Sequence, residues 1–313
     1  MKIGIIIDAT CDLSTEFIRK HEIGVIPIHI TDGNKYYLDK KEDSEYEKFY
    51  DLIKKNSTKL STMALSSNEI KKALLNENIL KCNEYICILP SKNRSDSYQN
   101  TLIAITKHTS DIRNYRQQHG INQPVKIHAI DAGQLSCGLS IIVENLIHNI
   151  NIGMTPEIMI QDINELSKNT QSFLFPKSIQ EIYKNGSTKG DRSLNLKDYL
   201  LGSALDIKPI IFGYRGNTEL IAKAKGFENG LKQIIEIVKK QINNNRLLIN
   251  HISTSYGGDF DEIRNEPAWV KLEDMAKSKS IVLTLNKMSP TLMVNVGVGA
   301  FGLSFISEKK YKI

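Results

Sequence analysis

The sequence predicts an α/β protein that opens on a doubly wound, mostly parallel sheet, and three observations predict it. Short β-branched runs at 3–7, 25–30, 85–89 and 125–130 lack period-two alternation, as strands buried on both faces do. Amphipathic stretches at 14–21, 44–55, 67–75, 97–109 and 136–149 fall between these runs, and such alternation implies βαβ units. The length of 313 residues is ample for two domains. The break Asn151-Ile152-Gly153-Met154-Thr155-Pro156 divides them, giving an α/β domain over 1–155 and a second over 156–313.

The elements follow in order. The apolar start 3–7 is stopped by Asp8 and reads as a first strand. It lacks the small-residue cleavage site and longer apolar region of a signal peptide. Ser14, followed by Thr15 and Glu16, opens the first helix, and Ser67 is the expected cap of the helix 67–75. Pro156 suits the first turn of a helix at 157–168. Strands are expected at 172–175, 207–212, 219–225, 246–252, 281–285 and 303–306, with helices at 177–184, 196–204, 227–243 and 259–276. Pro209 cannot donate to a ladder, so its run is expected at an edge or a strand end. The small polar run 184–193 reads as a mobile loop.

Composition removes several classes. Hydrophobic residues are 41% and charged residues 24%, a globular balance, and no apolar run reaches the roughly 18 residues of a membrane span. A cytoplasmic location is expected. Cys11, Cys82, Cys87 and Cys137 form no Cys-x-x-Cys pair and read as small buried hydrophobes. The net charge of +6 comes from dispersed lysine pairs rather than a basic stripe with aromatics, so nucleic acid is not an expected partner. The seven histidines show no metal-binding spacing, so no metal is expected.

Each short motif has two readings. Gly297-Val298-Gly299-Ala300-Phe301-Gly302 satisfies a dinucleotide fingerprint, but only 313 − 302 = 11 residues follow it, too few for the helix and second strand that a nucleotide needs. It reads better as a glycine bend entering a last strand. Asp8, with Thr10, lies after the first strand, and Asp131 after a later one. Each either closes a turn or forms part of a polar site at a strand's carboxyl end. Ser61-Thr62 and Ser95-Asp96-Ser97 are expected in loops before helices, as caps or as anion-binding hydroxyls. A Ser-His-Asp hydrolase lacks its Gly-x-Ser-x-Gly elbow.

Together these segments resemble the DegV family over nearly the whole chain. Asp8-Ala9-Thr10-Cys11-Asp12-Leu13 stands for its Asp-Ser-Thr-x-Asp-Leu. The run from Asp32-Gly33 through Tyr37-Leu38-Asp39 to Phe49-Tyr50 matches its acidic, aromatic stretch. Ser61-Thr62-Met63-Ala64 stands for Thr-Ser-Gln-Pro, and Arg94-Ser95-Asp96-Ser97-Tyr98-Gln99 for Leu-Ser-Gly-Thr-Tyr-Gln. Asp131-Ala132 with Gly138, and Leu201-Gly202 before Ile207-Lys208-Pro209-Ile210, continue the series. Lys223-Ala224-Lys225 replaces Lys-x-Arg, and Asn185-Gly186-Ser187 replaces Gly-Gly-Arg. Asn295 occupies the His position of the closing His-x-Gly-Pro-Gly-Ala-x-Gly.

The resemblance implies two α/β domains, the second with a mixed sheet, and a long-chain fatty acid buried with its carboxylate near their junction. Carried over by position, the head-group residues are Thr62 or Ser61, Ser95, Lys225 and Asn295, with Asp8, Thr10 and Asp131 as a secondary polar set. Asn295 donates without becoming cationic, and Lys225 lacks the bidentate fork of arginine. The implied role is a non-enzymatic carrier that needs no cofactor and presents the acyl carboxylate to a fatty acid kinase. Transient contact with a membrane is compatible with it. Burying about 16 methylenes at about 0.8 kcal/mol each supplies roughly 13 kcal/mol before ordering costs. Two other readings stand beside it. One is an α/β enzyme acting on a small phosphorylated or carboxylated metabolite through Asp8, Asp131 and Lys208. The other is a regulatory module that has lost the carrier role.

Overall fold

The computed structural model describes residues 2–56, 59–180, 182 and 206–311. The expected helix 196–204 and loop 184–193 lie outside these residues, as do Asn185-Gly186-Ser187, Leu201-Gly202 and residues 181, 183 and 184 of the expected helix 177–184.

The order is β1 (Ile3–Asp8), α1 (Thr15–Lys20), β2 (Gly24–Ile26), β3 (Ile28–Thr31), β4 (Tyr36–Asp39), α2 (Asp43–Asn56), β5 (Ser61–Ala64) and α3 (Ser67–Leu74). Then come β6 (Glu84–Leu89), α4 (Ser97–Lys107), α5 (Thr109–Gln118), β7 (Lys126–Asp131), α6 (Cys137–Asn151), α7 (Pro156–Asn169) and β8 (Thr170–Phe175). The rest is β9 (Ile207–Tyr214), β10 (Asn217–Lys225), α8 (Phe227–Asn243), β11 (Leu247–Tyr256), α9 (Phe260–Arg264), α10 (Pro267–Ser278), β12 (Val282–Lys287), α11 (Pro290–Val296) and β13 (Phe301–Ser307).

Among the described residues there are three sheets. The first is parallel throughout, in the order β2-β1-β6-β7. Ile5, Ile7, Ile86 and Ile88 pack one of its faces on Leu139, Ile142 and Val143 of α6 and Ile163 of α7. Ile6, Tyr85 and Cys87 pack the other on Ile70 of α3 and Ala104 of α4. Helices on both faces make it doubly wound, as the unbroken apolar runs predict. The second sheet is mixed, in the order β10-β9-β8-β13-β11-β12, with only the β11–β12 pair parallel. The third is a small antiparallel sheet, β4-β3-β5.

Several differences from the sequence reading have simple causes. The run 25–30 is two strands, because Pro27 removes the N–H that a continuous ladder would need. β2 joins the parallel sheet and β3 the small one. Ser61 and Thr62 are not in a loop but in β5, and α3 is capped by Ser66, whose hydroxyl and Glu69 form a reciprocal capping box. The helix expected over 259–276 breaks before Pro267 into α9 and α10. Pro209 sits where β9 pairs only with β10, since β8 joins from Ile211 onward. The four cysteines are free and buried.

α6 is buried on nearly every face: Cys137 through Val143, Leu146 and Asn149 are all inside. A helix apolar all round must be covered all round. It packs on β6 of the parallel sheet and on β8, β11 and β13 of the mixed one. At that joint Glu144 of α6 faces His251 of β11, with Oε2 and Nε2 3.2 Å apart. Burial pushes the Glu144 carboxyl up to about 8 against the hydroxyls of Ser253 and Thr284, and burial lowers His251 to about 4.

These shifts predict a pH dependence of stability. From about pH 4.5 to 6.5 the two oppose, because native Glu144 keeps a proton that the unfolded chain loses while native His251 lacks one that it gains. From about pH 6.5 to 8 only Glu144 differs, unfolding releases its proton, and stability falls as pH rises. Melting temperatures across that upper window should decline in the wild type and flatten in Glu144→Gln. Parallel declines in the two proteins would remove Glu144 as the cause.

Candidate functional site

A cavity of about 550 Å³ lies where the three sheets meet. Its apolar wall includes Ile28, Met63, Leu135, Phe173, Leu174, Ile211, Leu292 and Val296. Its polar wall includes Thr10, Thr62, Ser91, Asn93, Arg94, Ser95, Ser136, Thr218 and Asn295, with Lys92, Asp96 and Glu219 as further charged lining. The volume falls within the roughly 300–1,000 Å³ usual for small-ligand sites.

The short helix α11 supplies Thr291, Leu292, Asn295 and Val296 to this lining, and two buried carboxylates hold its beginning. Asp12 accepts from the backbone N–H of Ser289 at 2.8 Å and from the Ser136 hydroxyl at 2.5 Å. Asp39 accepts from the Thr291 N–H at 3.0 Å and its hydroxyl at 2.7 Å. Ser289 caps the helix from its own side chain, and Pro290 fits the first turn. Burial raises the Asp12 carboxyl above the usual range, opposed by Lys41 and by its hydrogen bonds.

Ser136 has φ 57° and ψ −134°, a strained conformation for a residue with a side chain. It is held there by its bond to Asp12, by Ser255 at 3.0 Å and by a bridge to Cys11. On the facing side, the Gly216 N–H in the β9–β10 turn donates to Gly133 at 3.0 Å, and Asn93 donates to the Gly216 carbonyl at 3.2 Å. These contacts bring the loops after β6 and β7 against that turn. The glycine-rich end of the chain is a bend, not a nucleotide loop: Gly297 caps α11 at φ 88°, and a Cβ on Gly302 would press on Ser255, Cys137 and Ser136.

Of the residues singled out by sequence, Thr62, Ser95, Asn295 and Thr10 line this one cavity. The Asn295 amide donates to the Thr62 hydroxyl at 3.0 Å and to the Thr291 carbonyl at 2.7 Å. Ser95 Oγ accepts from the Ser97 N–H at 3.2 Å, so it also braces the start of α4. Ser61, the other choice of register, points to the opposite, exposed side of β5 and does not line the cavity. Lys225 does not reach it either, and is exposed at the end of β10, beside α8.

Asp8 is fully buried and serves its turn: Oδ1 accepts the Thr10 N–H at 3.0 Å and its hydroxyl at 2.5 Å. Burial raises its pKa, against the pull of Thr10 and Ser97. Asp131 likewise accepts from Gly133 N at 3.0 Å and Lys92 N at 3.3 Å. Lys208 pairs with Asp206. None of these three is part of the cavity lining.

Arg94 went without a role in the sequence reading, yet it is half-buried in the lining and donates to Thr218. The available signal was its charge where the compared motif has leucine. Asp12 and Asp39 were also passed over as supports, since nothing local to either shows that they converge on residues 289–291.

The DegV family model, described as an uncharacterised protein family, matches residues 2–308. A DegV domain-containing protein of Xanthomonas axonopodis pv. citri is 30% identical over 309 residues, covering 98% of both chains. The chain belongs to the DegV family. Among solved structures, a stearic acid-binding protein from Eubacterium ventriosum matches with a TM-score of 0.78 at 19% identity, over 98% of this chain and 99% of that one. A DegV family protein from Eubacterium eligens loaded with heptadecanoic acid matches at 0.74 and 17%, over 98% and 100%. At such identities these likenesses establish the fold.

The anchoring of α11 yields a prediction. Asp12→Ala strands the Ser289 N–H in a dry interior, at about 1–3 kcal/mol for a donor left unpaired, and leaves the Ser136 hydroxyl with Ser255 alone. A chemical denaturation midpoint well below wild type is expected, and an unchanged midpoint would show that Asp12 does not hold α11.

Proposed function

We propose that this protein binds a long-chain fatty acid without transforming it and presents the carboxylate to a fatty acid kinase. The observation that carries the reading is the composition of one cavity. Thr62, Ser95, Asn295 and Arg94 line it together with Leu174, Ile211, Leu292 and Val296. A hydroxyl–amide–guanidinium group suits a carboxylate, and an apolar wall suits an alkyl chain. The fatty acids named for the two solved structures of this fold support the same ligand class.

In this reading the chain's residues bind and orient. Thr62 and Ser95 donate to the carboxylate, Asn295 fixes the Thr62 hydroxyl by donating to its oxygen, and Arg94 supplies the cationic field. Arg94 takes the part that the resemblance gave to Lys225. The kinase transfers a phosphoryl group from its own nucleotide to a carboxylate oxygen. The apolar wall keeps the chain from water until then. Head-group contacts set orientation and chain class, while methylene burial sets gross affinity.

Organic extraction of the purified protein followed by mass spectrometry should return a fatty acid in near-stoichiometric amount. Adding a bacterial fatty acid kinase and ATP to the loaded protein should yield acyl phosphate. Recovery of no lipid, with no uptake of labelled fatty acid, would sink the binding role. Lipid without acyl phosphate would remove the kinase alone.

Asn295→His gives a sharper check on the head-group assignment. An imidazole with an unperturbed pKa near 6.5 becomes cationic beside a carboxylate, whereas the amide stays neutral. Wild-type affinity should be nearly flat between about pH 6 and 8. The variant should bind more tightly at the acidic end by about 1 kcal/mol, the gain of a charge-assisted bond. Identical pH profiles would place residue 295 away from the head group.

A further inference from the structure

The hydroxyls that line the cavity are of two kinds, and they differ in where each proton points. Ser95 Oγ accepts the Ser97 N–H, so its own proton remains to be given to a ligand. Thr10 and Thr291 are the reverse. The Thr10 hydroxyl donates to Asp8 Oδ1 at 2.5 Å, and the Thr291 hydroxyl donates to Asp39 Oδ2 at 2.7 Å. A hydroxyl has one proton and two lone pairs, so these two oxygens have only lone pairs left to offer. Neither accepts a hydrogen bond from a described residue.

Backbone donors fix the direction of both bonds. Asp8 Oδ1 also accepts the Thr10 N–H, and Asp39 Oδ2 the Thr291 N–H, each at 3.0 Å. Asp39 Oδ1 accepts the Lys41 N–H at 3.1 Å, so both of its oxygens act as acceptors. A proton on Asp8 would sit on Oδ2, which makes no hydrogen bond, and the Thr10 proton would still point inward. The two threonines are neighbours. Both line the cavity, and Asp39 is near enough for its charge to add to burial in raising the Asp8 carboxyl. Ser136 lines it beside them, with Asp12 and Ser255 filling two of its three bonding positions. Thr291 lies one helical turn before Asn295, which sets their Cβ atoms about 5–6 Å apart.

We propose that Thr10 and Thr291 form a subsite for a hydrogen-bond donor, and that the ligand is a fatty acid with a hydroxyl on one of its first few carbons. The inference rests on the fatty-acid reading of the cavity and narrows it. Lone pairs backed by buried carboxylates repel a carboxylate, so the acid group goes to Thr62, Ser95 and Arg94. The nearby hydroxyl of the ligand then donates to Thr10 and Thr291. A plain alkyl chain leaves those lone pairs empty or held by a trapped water, whereas a hydroxyl satisfies them directly. A hydroxyl fits better than an ammonium, because burying a neutral group costs far less than burying a charge.

The test titrates delipidated full-length protein with hexadecanoic, 3-hydroxyhexadecanoic and 16-hydroxyhexadecanoic acids. The 3-hydroxy acid should bind roughly three- to tenfold more tightly than hexadecanoic acid, the gain of one net hydrogen bond. Thr10→Val and Thr291→Val should each pull that ratio toward one, and Thr10→Ser should retain it. The ratio is insensitive to general damage to the fold, which weakens both acids alike. Equal wild-type affinity for the two acids would overturn this inference and leave the fatty-acid reading standing, whereas binding of neither would overturn both. A preference that survives both valine variants would place the hydroxyl elsewhere and overturn the subsite. The 16-hydroxy acid should gain nothing over hexadecanoic acid, and a gain equal to that of the 3-hydroxy acid would overturn the position without need of any variant.

Discussion

The candidate site depends on two buried carboxylates converging on one helix start. Asp12 follows β1 and Asp39 ends β4, so they come from different sheets, yet both bond to residues 289–291. A buried carboxylate is costly unless its oxygens are satisfied, and here backbone N–H groups and hydroxyls satisfy them. α11 is therefore fixed to both sheets at once, and with it Asn295 and Thr291. The position of the Thr62 hydroxyl relative to the Asn295 amide follows from that double tether, since Thr62 sits on β5, two strands from β4 in the same small sheet.

Hydroxyl-rich loops surround the cavity. Several polar side chains of the wall also have a structural task. Ser95 braces α4, Ser136 bridges Asp12 to Ser255, and Asn93 ties the loop after β6 to the β9–β10 turn. Groups already held by the protein present their remaining bonding capacity in fixed directions, which favours orientation over adaptability. A binding role needs little more from them. The apolar wall is built from β8, β9 and α11, whose buried faces continue directly into the cores behind them.

Much of this architecture was legible in the sequence. The doubly wound sheet followed from unbroken runs such as 85–89, because burial on both faces leaves no alternation to read. The small sheet was not legible. β4 and β5 are four residues each, too short for a period to show in the sequence, so Thr62 looked like a residue of a loop. Pro27 was the missed signal for the division between β2 and β3. Ordered motifs single out Thr62, Ser95 and Asn295, which the fold brings to one cavity. Lys225, singled out in the same way, lies on another surface, because a side chain at a strand end can face either of two surfaces. Arg94 stands inside a quoted motif where the compared motif has leucine, and the sequence by itself assigns it no role. Long-range convergence, such as Asp12 upon Ser289, has no local sequence signature at all.

The central helix α6 has a consequence for how the chain can be divided. It is part of the core beneath the parallel sheet, and it is also covered by strands β8, β11 and β13 of the later half. A fragment ending at residue 155 would carry this helix with one flank stripped, exposing side chains evolved for contact with another sheet. The later half alone would lose the cover over β13, whose residues are buried throughout. The hinge-like break after Asn151 is thus a seam in the chain and not in its cohesion. Fusion partners, split reporters and truncations are better placed at the termini or in the exposed turns than at that seam.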